Sequence, residues 1–539
     1  MKTTKRILAI LLTFAMMATV LCLPAFAVEN SEPVADQTGE GVEAVADEGT
    51  DVIEIATAEQ FLAIADNLEG NYKLVADIHV PLEFDLDGDG TPEPVKEDDD
   101  GDGSLEPVHF GTFKGTLDGG NHTLTIEGEY DAAVLNAKGA VAVGSYGMLF
   151  NGLNNATIKN LQVGTKDAPV KFVAVAATGG SNIGVLGSNA ATGNTLNNVH
   201  VYLDANLNDF GGKNLNIGAF FGKNSTGSGN INMTNCTANG KIYGAGLSST
   251  KYFGGFIGSW TAGALTLENC TNNLDVELTG TIKGVGGFVG IFNKDVGSLN
   301  VTNCVNNGNI TDGGPCGAVV GTLTNGEVTL TNVLNFGTIT GSVTGAYSMV
   351  GTETVEATMT GCVNLGTVNG ESGLASAVTQ TNEGAGVRIH NTADESGLRF
   401  KFTMDEASLD ALEALTAVYG VANVQVGAIF LPTELVGEKA LTAENYANAL
   451  TMAGSASEIT DGYYHASLVK LYDTHYNTEY SCQSFWRYRT SADGEWITVY
   501  ANNTLSRTVA GVAAEALANG TYNVEQTAIL TAYANAQNG

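Results

Sequence analysis

Positive charge is scarce in this sequence. Its 539 residues hold 24 Lys+Arg against 58 Asp+Glu, a formal net charge of −34 at pH 7. Clustered cations are what a phosphate backbone or an anionic bilayer surface requires, so this balance excludes nucleic acid and acidic membrane as partners. Arginine is rarer still: after Arg6 none occurs until Arg388. Proline contributes only 9 residues beside 68 glycines, so the chain is neither collagen-like nor a proline-rich disordered polymer. The 7 cysteines, one of them Cys22 near the start, are far too sparse for a disulfide scaffold. Only Ile7–Leu23 forms a long apolar run. What is present is 43% hydrophobic and 15% charged residues, enough for sizeable cores in two or three domains.

The N-terminus has the three parts of a secretory signal peptide. Lys2, Lys5 and Arg6 supply the charge, Ile7–Leu23 the apolar stretch, and Ala25-Phe26-Ala27 the small-residue cleavage site. The apolar stretch is short for a bilayer span. Cleavage would remove three cations and no acids, taking the charge from −34 to −37. The protein is therefore expected outside the cell, with no membrane insertion after cleavage and any attachment to a surface non-covalent. Residues 28–50 are acidic, poor in aromatics and read as a flexible linker. Thr57-Ala58-Glu59-Gln60 is a capping-box pattern ahead of Phe61, Leu62, Ile64, Ala65 and Leu68 at helical spacing. It predicts a short helix capping the end of something repetitive.

The repeat itself has two markers. One is a glycine-flanked apolar block: Gly184-Val185-Leu186-Gly187, Gly218-Ala219-Phe220-Phe221-Gly222, Gly255-Phe256-Ile257-Gly258, Gly287-Phe288-Val289-Gly290, Gly317-Ala318-Val319-Val320-Gly321 and Ser348-Met349-Val350-Gly351. Its closing glycines recur at intervals of 35, 36, 32, 31 and 30. The other is an asparagine before a small apolar residue, at Asn160, Asn198, Asn235, Asn269, Asn303 and Asn332, with Gly361 in the same place. These intervals are 38, 37, 34, 34, 29 and 29. Short alternating runs such as Val328-Thr329-Leu330-Thr331 separate the markers, without helical periodicity. One coil of a solenoid per repeat follows, with equivalent residues stacked at about 4.8 Å. Asn272, Asn306, Asn335 and Asn364 should then form a ladder of side-chain amides. Cys236, Cys270, Cys304 and Cys362 share one register with Val199 and Val333. They read as small inward apolar residues rather than disulfides or a metal site.

After Glu371 the composition changes. Residues 386–539 hold five of the six arginines and two of the three tryptophans. Leu409, Leu412 and Leu415 behind Asp405 predict a helix, Val512–Leu517 a helical tail, and strands are expected at Leu398–Phe402, Val424–Leu431, Ser467–Tyr472 and Trp496–Tyr500. This part reads as a separate α+β domain.

The glycine-flanked blocks resemble the GLUG repeats of bacterial surface proteins. The run Phe113-Lys114-Gly115-Thr116-Leu117-Asp118-Gly119-Gly120-Asn121-His122-Thr123-Leu124 is similar to the opening coil of right-handed β-helix proteins secreted by gut Firmicutes. Gly397-Leu398-Arg399-Phe400, Asp461-Gly462-Tyr463-Tyr464 and Ser506-Arg507-Thr508-Val509-Ala510 resemble the C-terminal module of clostridial extracellular proteins. The resemblance implies a mainly β chain: a right-handed parallel β-helix over 51–385 with an N-terminal capping helix, then the α+β domain.

Chemistry concentrates in a tandem acidic insertion, 85–106. Asp85, Asp87, Asp89, Gly90 and Glu93 recur thirteen residues on as Asp98, Asp100, Asp102, Gly103 and Glu106. Alternate carboxylates with glycine at the sixth position curl backbone around a hard cation, which points to structural Ca²⁺. Lys96 and His109 stand where an EF-hand has its twelfth-position glutamate, so these are not EF-hands. The other reading is a solvated acidic loop. Right-handed β-helices also host pectate lyases and polygalacturonases. A lyase needs a cation at the sugar, and the coils have no arginine. An inverting hydrolase needs paired carboxylates across a cleft, and Asp275 with Glu277 is the nearest pair, on one strand face. The seven histidines show no metal or triad spacing. Tyr463, Tyr464, Trp486, Tyr488 and Trp496 could stack on sugar rings, and alternation puts Trp486 and Tyr488 on one strand face; an ordinary aromatic core is the other reading. The sequence thus predicts a secreted, non-catalytic adhesin-like or matrix protein whose partner is an extracellular glycan or a host or bacterial surface protein. A polysaccharide-degrading enzyme and a pure structural spacer are the alternatives.

Overall fold

Short apolar-alternating strands broken by Gly and Asn corners cannot bury their inner faces alone, so each must lie against the next copy. The computed structural model shows this as one sheet of 33 strands whose long-range pairings run parallel. It describes residues 52–536 except 82, 85–92, 95, 98–105, 108–109, 128, 132–144, 174–180, 209, 211–214, 225–229, 248–250, 344–347, 373–379, 384–385, 389–396, 460 and 502; side chains of 81–110 also fall outside it. One inward column runs Tyr72, Leu117, Ile158, Leu196, Met233, Leu267, Val301, Leu330 and Met359, each paired with the next. From Leu117 to Leu330 every member of it is fully buried.

A single coil is typified by β1 (Lys251–Gly254), β2 (Ile257–Trp260), β3 (Leu265–Glu268) and β4 (Thr271–Gly280). The glycine-flanked block straddles the corner between β1 and β2. A β-carbon added at Gly258 would run into the backbone nitrogen of Ile217 in the preceding coil, so close coil stacking requires glycine there. The corner phenylalanines pack in turn, Phe220 stacked on Phe256 at 4.8 Å and Phe256 tilted against Phe288 at 5.0 Å between ring centroids.

The asparagine marker is a backbone device. Asn160, Asn198, Asn235, Asn269, Asn303 and Asn332 all have φ between 52° and 56°, and Gly361 has 62°. Asparagine and glycine are the residues that enter the left-handed region at least cost. The turn tips the next side chain inward: Leu161, Val199, Cys236, Cys270, Cys304 and Val333 are fully buried. The cysteines are free thiols filling a slot that valine fills elsewhere. Within the coils the amide ladder is present, Asn272 donating to Asn306, Asn306 to Asn335 and Asn335 to Asn364, each at 2.7 Å.

At the N-terminal end a five-residue helix, Ala58–Leu62, carries the full capping box, with Thr57 accepting from the Gln60 amide at 3.3 Å. Its Phe61, with Ile64 just beyond, joins the apolar interior that contains Tyr72 and Leu74. The acidic insertion contains two small antiparallel ladders, Phe84 opposite Glu93 and Glu97 opposite Glu106, which repeat the thirteen-residue period of the sequence.

The described residues of 380–536 build two antiparallel sheets and three α-helices. One sheet has four strands, among them β5 (Gly397–Met404) and Tyr463–Val469; the other has five, with β6 (Val424–Pro432) beside β7 (Tyr480–Tyr488) and β8 (Ile497–Tyr500). The Asp405 side chain caps the helix Glu406–Tyr419 by accepting from the Ser408 amide at 2.8 Å. The tail is two helices, Val509–Asn519 and Val524–Ala534, rather than one. The apolar core here includes Val305, Leu334 and Leu365 of the coils, so this region packs on the solenoid through a shared interior.

Candidate functional site

Of the residues expected to hold calcium, Asp85, Asp87, Asp89, Asp98, Asp100 and Asp102 lie outside the described residues. Glu93 and Glu106 occupy equivalent places in the two small ladders, and their side chains are likewise outside. Among the described residues no group of three or more His, Cys, Asp and Glu is arranged to hold a metal.

Trp486 and Tyr488 require correction as a ligand platform. Both lie on the inward face of β7, with 1% and 4% of their surface exposed, which leaves no ring face for a sugar. They stack on each other at 5.9 Å, and Tyr488 stacks on Phe336 of the solenoid at 5.5 Å. Burial pushes the Tyr488 hydroxyl up to about 12. Phe336 also meets Tyr419 at 6.4 Å. These rings join the C-terminal region to the coils. Their alternation was legible in the sequence; which face turns inward depends on what packs against it.

The opposite face of β7 carries Arg487, and Arg489 follows just past the strand's end. Both guanidinium groups lie over the indole of Trp496, at 4.5 and 4.7 Å from its centroid, and Arg487 also lies 5.5 Å over Phe485. Side-chain amides at and just before the start of β6 orient them. Gln425 accepts from Arg487 Nε at 2.9 Å and Nη2 at 2.7 Å, and Asn423 accepts from Arg489 Nε at 2.9 Å. Neither forms a salt bridge among the described residues, although Asp493 and Glu495 stand exposed in the intervening turn. Arg487, Arg489 and Trp496 are each partly exposed. Burial, and then the charge of Arg489, lower the Arg487 pKa from its usual value, while Tyr500 opposes them; guanidinium nonetheless stays charged at neutral pH.

On the coils, Asp275 and Glu277 do share an exposed strand face. Asp275 accepts from both the backbone and side-chain nitrogens of Asn309, at 2.7 and 3.1 Å, which ties one coil to the next. Along the same outer face Asn307 donates to Asn273 at 2.8 Å and Asn273 to Asn239 at 2.9 Å. His200 is held between Thr237 (2.6 Å) and Asn198 (3.0 Å), and burial lowers its pKa. His122 sits 3.3 Å from Asp77 in the opening coil, where Asp77 also accepts from the Thr123 amide at 2.8 Å.

The fold thus belongs to the class of mainly β chains built on a large parallel stack of coils. No family model matches the chain, and no curated protein matches it. Among solved structures, one from Bacteroides ovatus named a "putative immunoglobulin A1 protease" is 18% identical, with a TM-score of 0.29, over 59% of this chain and 78% of that one. A likeness that distant carries no argument about what this chain does. Among the described residues no helix is long and apolar enough to cross a membrane.

Proposed function

We propose that this is a secreted, non-catalytic adhesin-like or matrix protein, whose solenoid is a stiff rod displaying a face for an extracellular glycan or surface protein. The observation that carries this reading is the exposed amide ladder Asn239–Asn273–Asn307, backed by the buried ladder from Asn272 to Asn364. Side-chain amides fixed at the coil repeat offer a regular array of donors and acceptors, and the buried ladder holds that array in place. In this reading the stack is a right-handed β-helix, the Ala58–Leu62 helix caps its open edge, and residues 386–539 are an accessory α+β module. The signal-peptide pattern and the similarity to GLUG-repeat surface proteins fit it. Calcium, held by the carboxylates of 85–106, would staple the insertion between the first coils.

Incubating the purified protein with mucins and plant polysaccharides, with and without Ca²⁺, tests the reading. Retention without new reducing ends is the expected outcome. Steady release of sugar ends would overturn it in favour of a polysaccharide-degrading enzyme.

A further inference from the structure

We infer that Arg487, Arg489 and Trp496 form a binding site for a carboxylate-bearing sugar, a uronate or a sialic acid, on the outer face of the C-terminal sheet. The inference rests on the glycan-binding reading above and places one ligand class at one site. Each guanidinium spends only part of its fork on a neutral amide, and most of the remaining N–H donors have no acceptor among the described residues. Two like charges two residues apart in the chain, both over one indole, repel each other, and an anion between them relieves that repulsion. Guanidinium matches a carboxylate geometrically, with two parallel N–H···O bonds, as an ammonium does not.

The class of anion follows from the surroundings. The indole of Trp496 and the two guanidinium planes make a partly exposed tier of flat groups, while Phe485 beneath Arg487 is buried. A pyranose offers a flat C–H face to such a tier and a carboxylate at its edge. An acidic peptide offers the charge without the flat face. A long, dense polyanion such as nucleic acid is disfavoured by the protein's net charge of −34. The amides of Gln425 and Asn423 fix the side chains before any ligand arrives, which lowers the ordering cost of binding.

Calorimetry on the whole protein tests this with oligogalacturonate and sialyllactose, and with methyl-esterified oligogalacturonate and lactose as neutral counterparts. The expected result is at least tenfold preference for one free carboxylate over its neutral partner, which also tells uronate from sialic acid. Arg489→Gln should reduce that affinity about tenfold, the size typical of a charged hydrogen bond. Arg489→Lys should recover only part of it, and Trp496→Phe should weaken both acidic and neutral binding. Thermal unfolding of each variant checks the fold; should Arg489→Gln unfold, the lysine variant still reads the fork. Equal affinity for acid and ester, or full affinity in both Arg489 variants, would overturn the site. Retention on mucin that survives these variants would leave the adhesin reading standing, and loss of all retention by the unaltered protein would remove both.

Discussion

At the scale of single residues, the repeat is written in backbone conformation as much as in hydrophobicity. Asn303 occupies a left-handed turn, so Asn303→Gly should be close to neutral while Asn303→Val should cost about 1–2 kcal/mol. Urea denaturation of the two variants separates them, and equal midpoints would refute the conformational role. Asn306 donates to Gly308 O and to Asn335 and accepts from Asn272, all in the interior. Asn306→Ala strands those partners and should cost about 3 kcal/mol or more, since each unmet buried group costs about 1–3. Cys304→Val should cost under about 1.5 kcal/mol, because Val333 fills the next equivalent slot. For His200 the folded pKa is depressed by burial, so the folded state disfavours the proton. Its contribution to stability is complete above the unfolded value of about 6.5 and is lost as pH falls from there through the folded value. A His200→Asn variant should therefore lose less stability than the parent between neutral and mildly acidic pH.

Elements depend on neighbours that the sequence does not show. The Ala58–Leu62 helix and the Glu406–Tyr419 helix are readable because their caps are local: Thr57 with Gln60, and Asp405 with Ser408. Asp405→Ala should destabilise the latter helix by about 1 kcal/mol, seen as faster amide exchange across residues 406–412. The corners are readable too, since a glycine or asparagine recurs wherever the chain must turn. The strand Tyr463–Val469 begins earlier than expected from Ser467 onward, because its partner β5 extends the ladder to Thr403 opposite Tyr463. The two ladders in the acidic insertion also escape a reading by alternation, being only two residues long on each side.

At the scale of the whole molecule, the joint between solenoid and C-terminal region turns on Phe336. It takes the place in the coil next to the exposed Asn307 and is half-buried beneath Tyr419 and Tyr488. Phe336→Ser should leave the coils folded but loosen that joint, so limited proteolysis should separate the coils from the C-terminal region faster than in the parent. An unchanged cleavage pattern would mean that the rings contribute no closure. Calcium would act at this scale as well: if 85–106 binds it, adding the ion should raise the unfolding temperature and chelation should lower it.

The sequence by itself determined the coil, its corners, its amide ladder and its cysteine slot, because a repeat places the same local demand at every turn and prints it again each time. It also marked the alternation of Phe485-Trp486-Arg487-Tyr488-Arg489, in which two faces are chemically distinct. Only the tertiary structure decided which of those faces is inside. Packing against Phe336 buried Trp486 and Tyr488 and left the arginines with Trp496 outward, and alternation alone is symmetric between those outcomes.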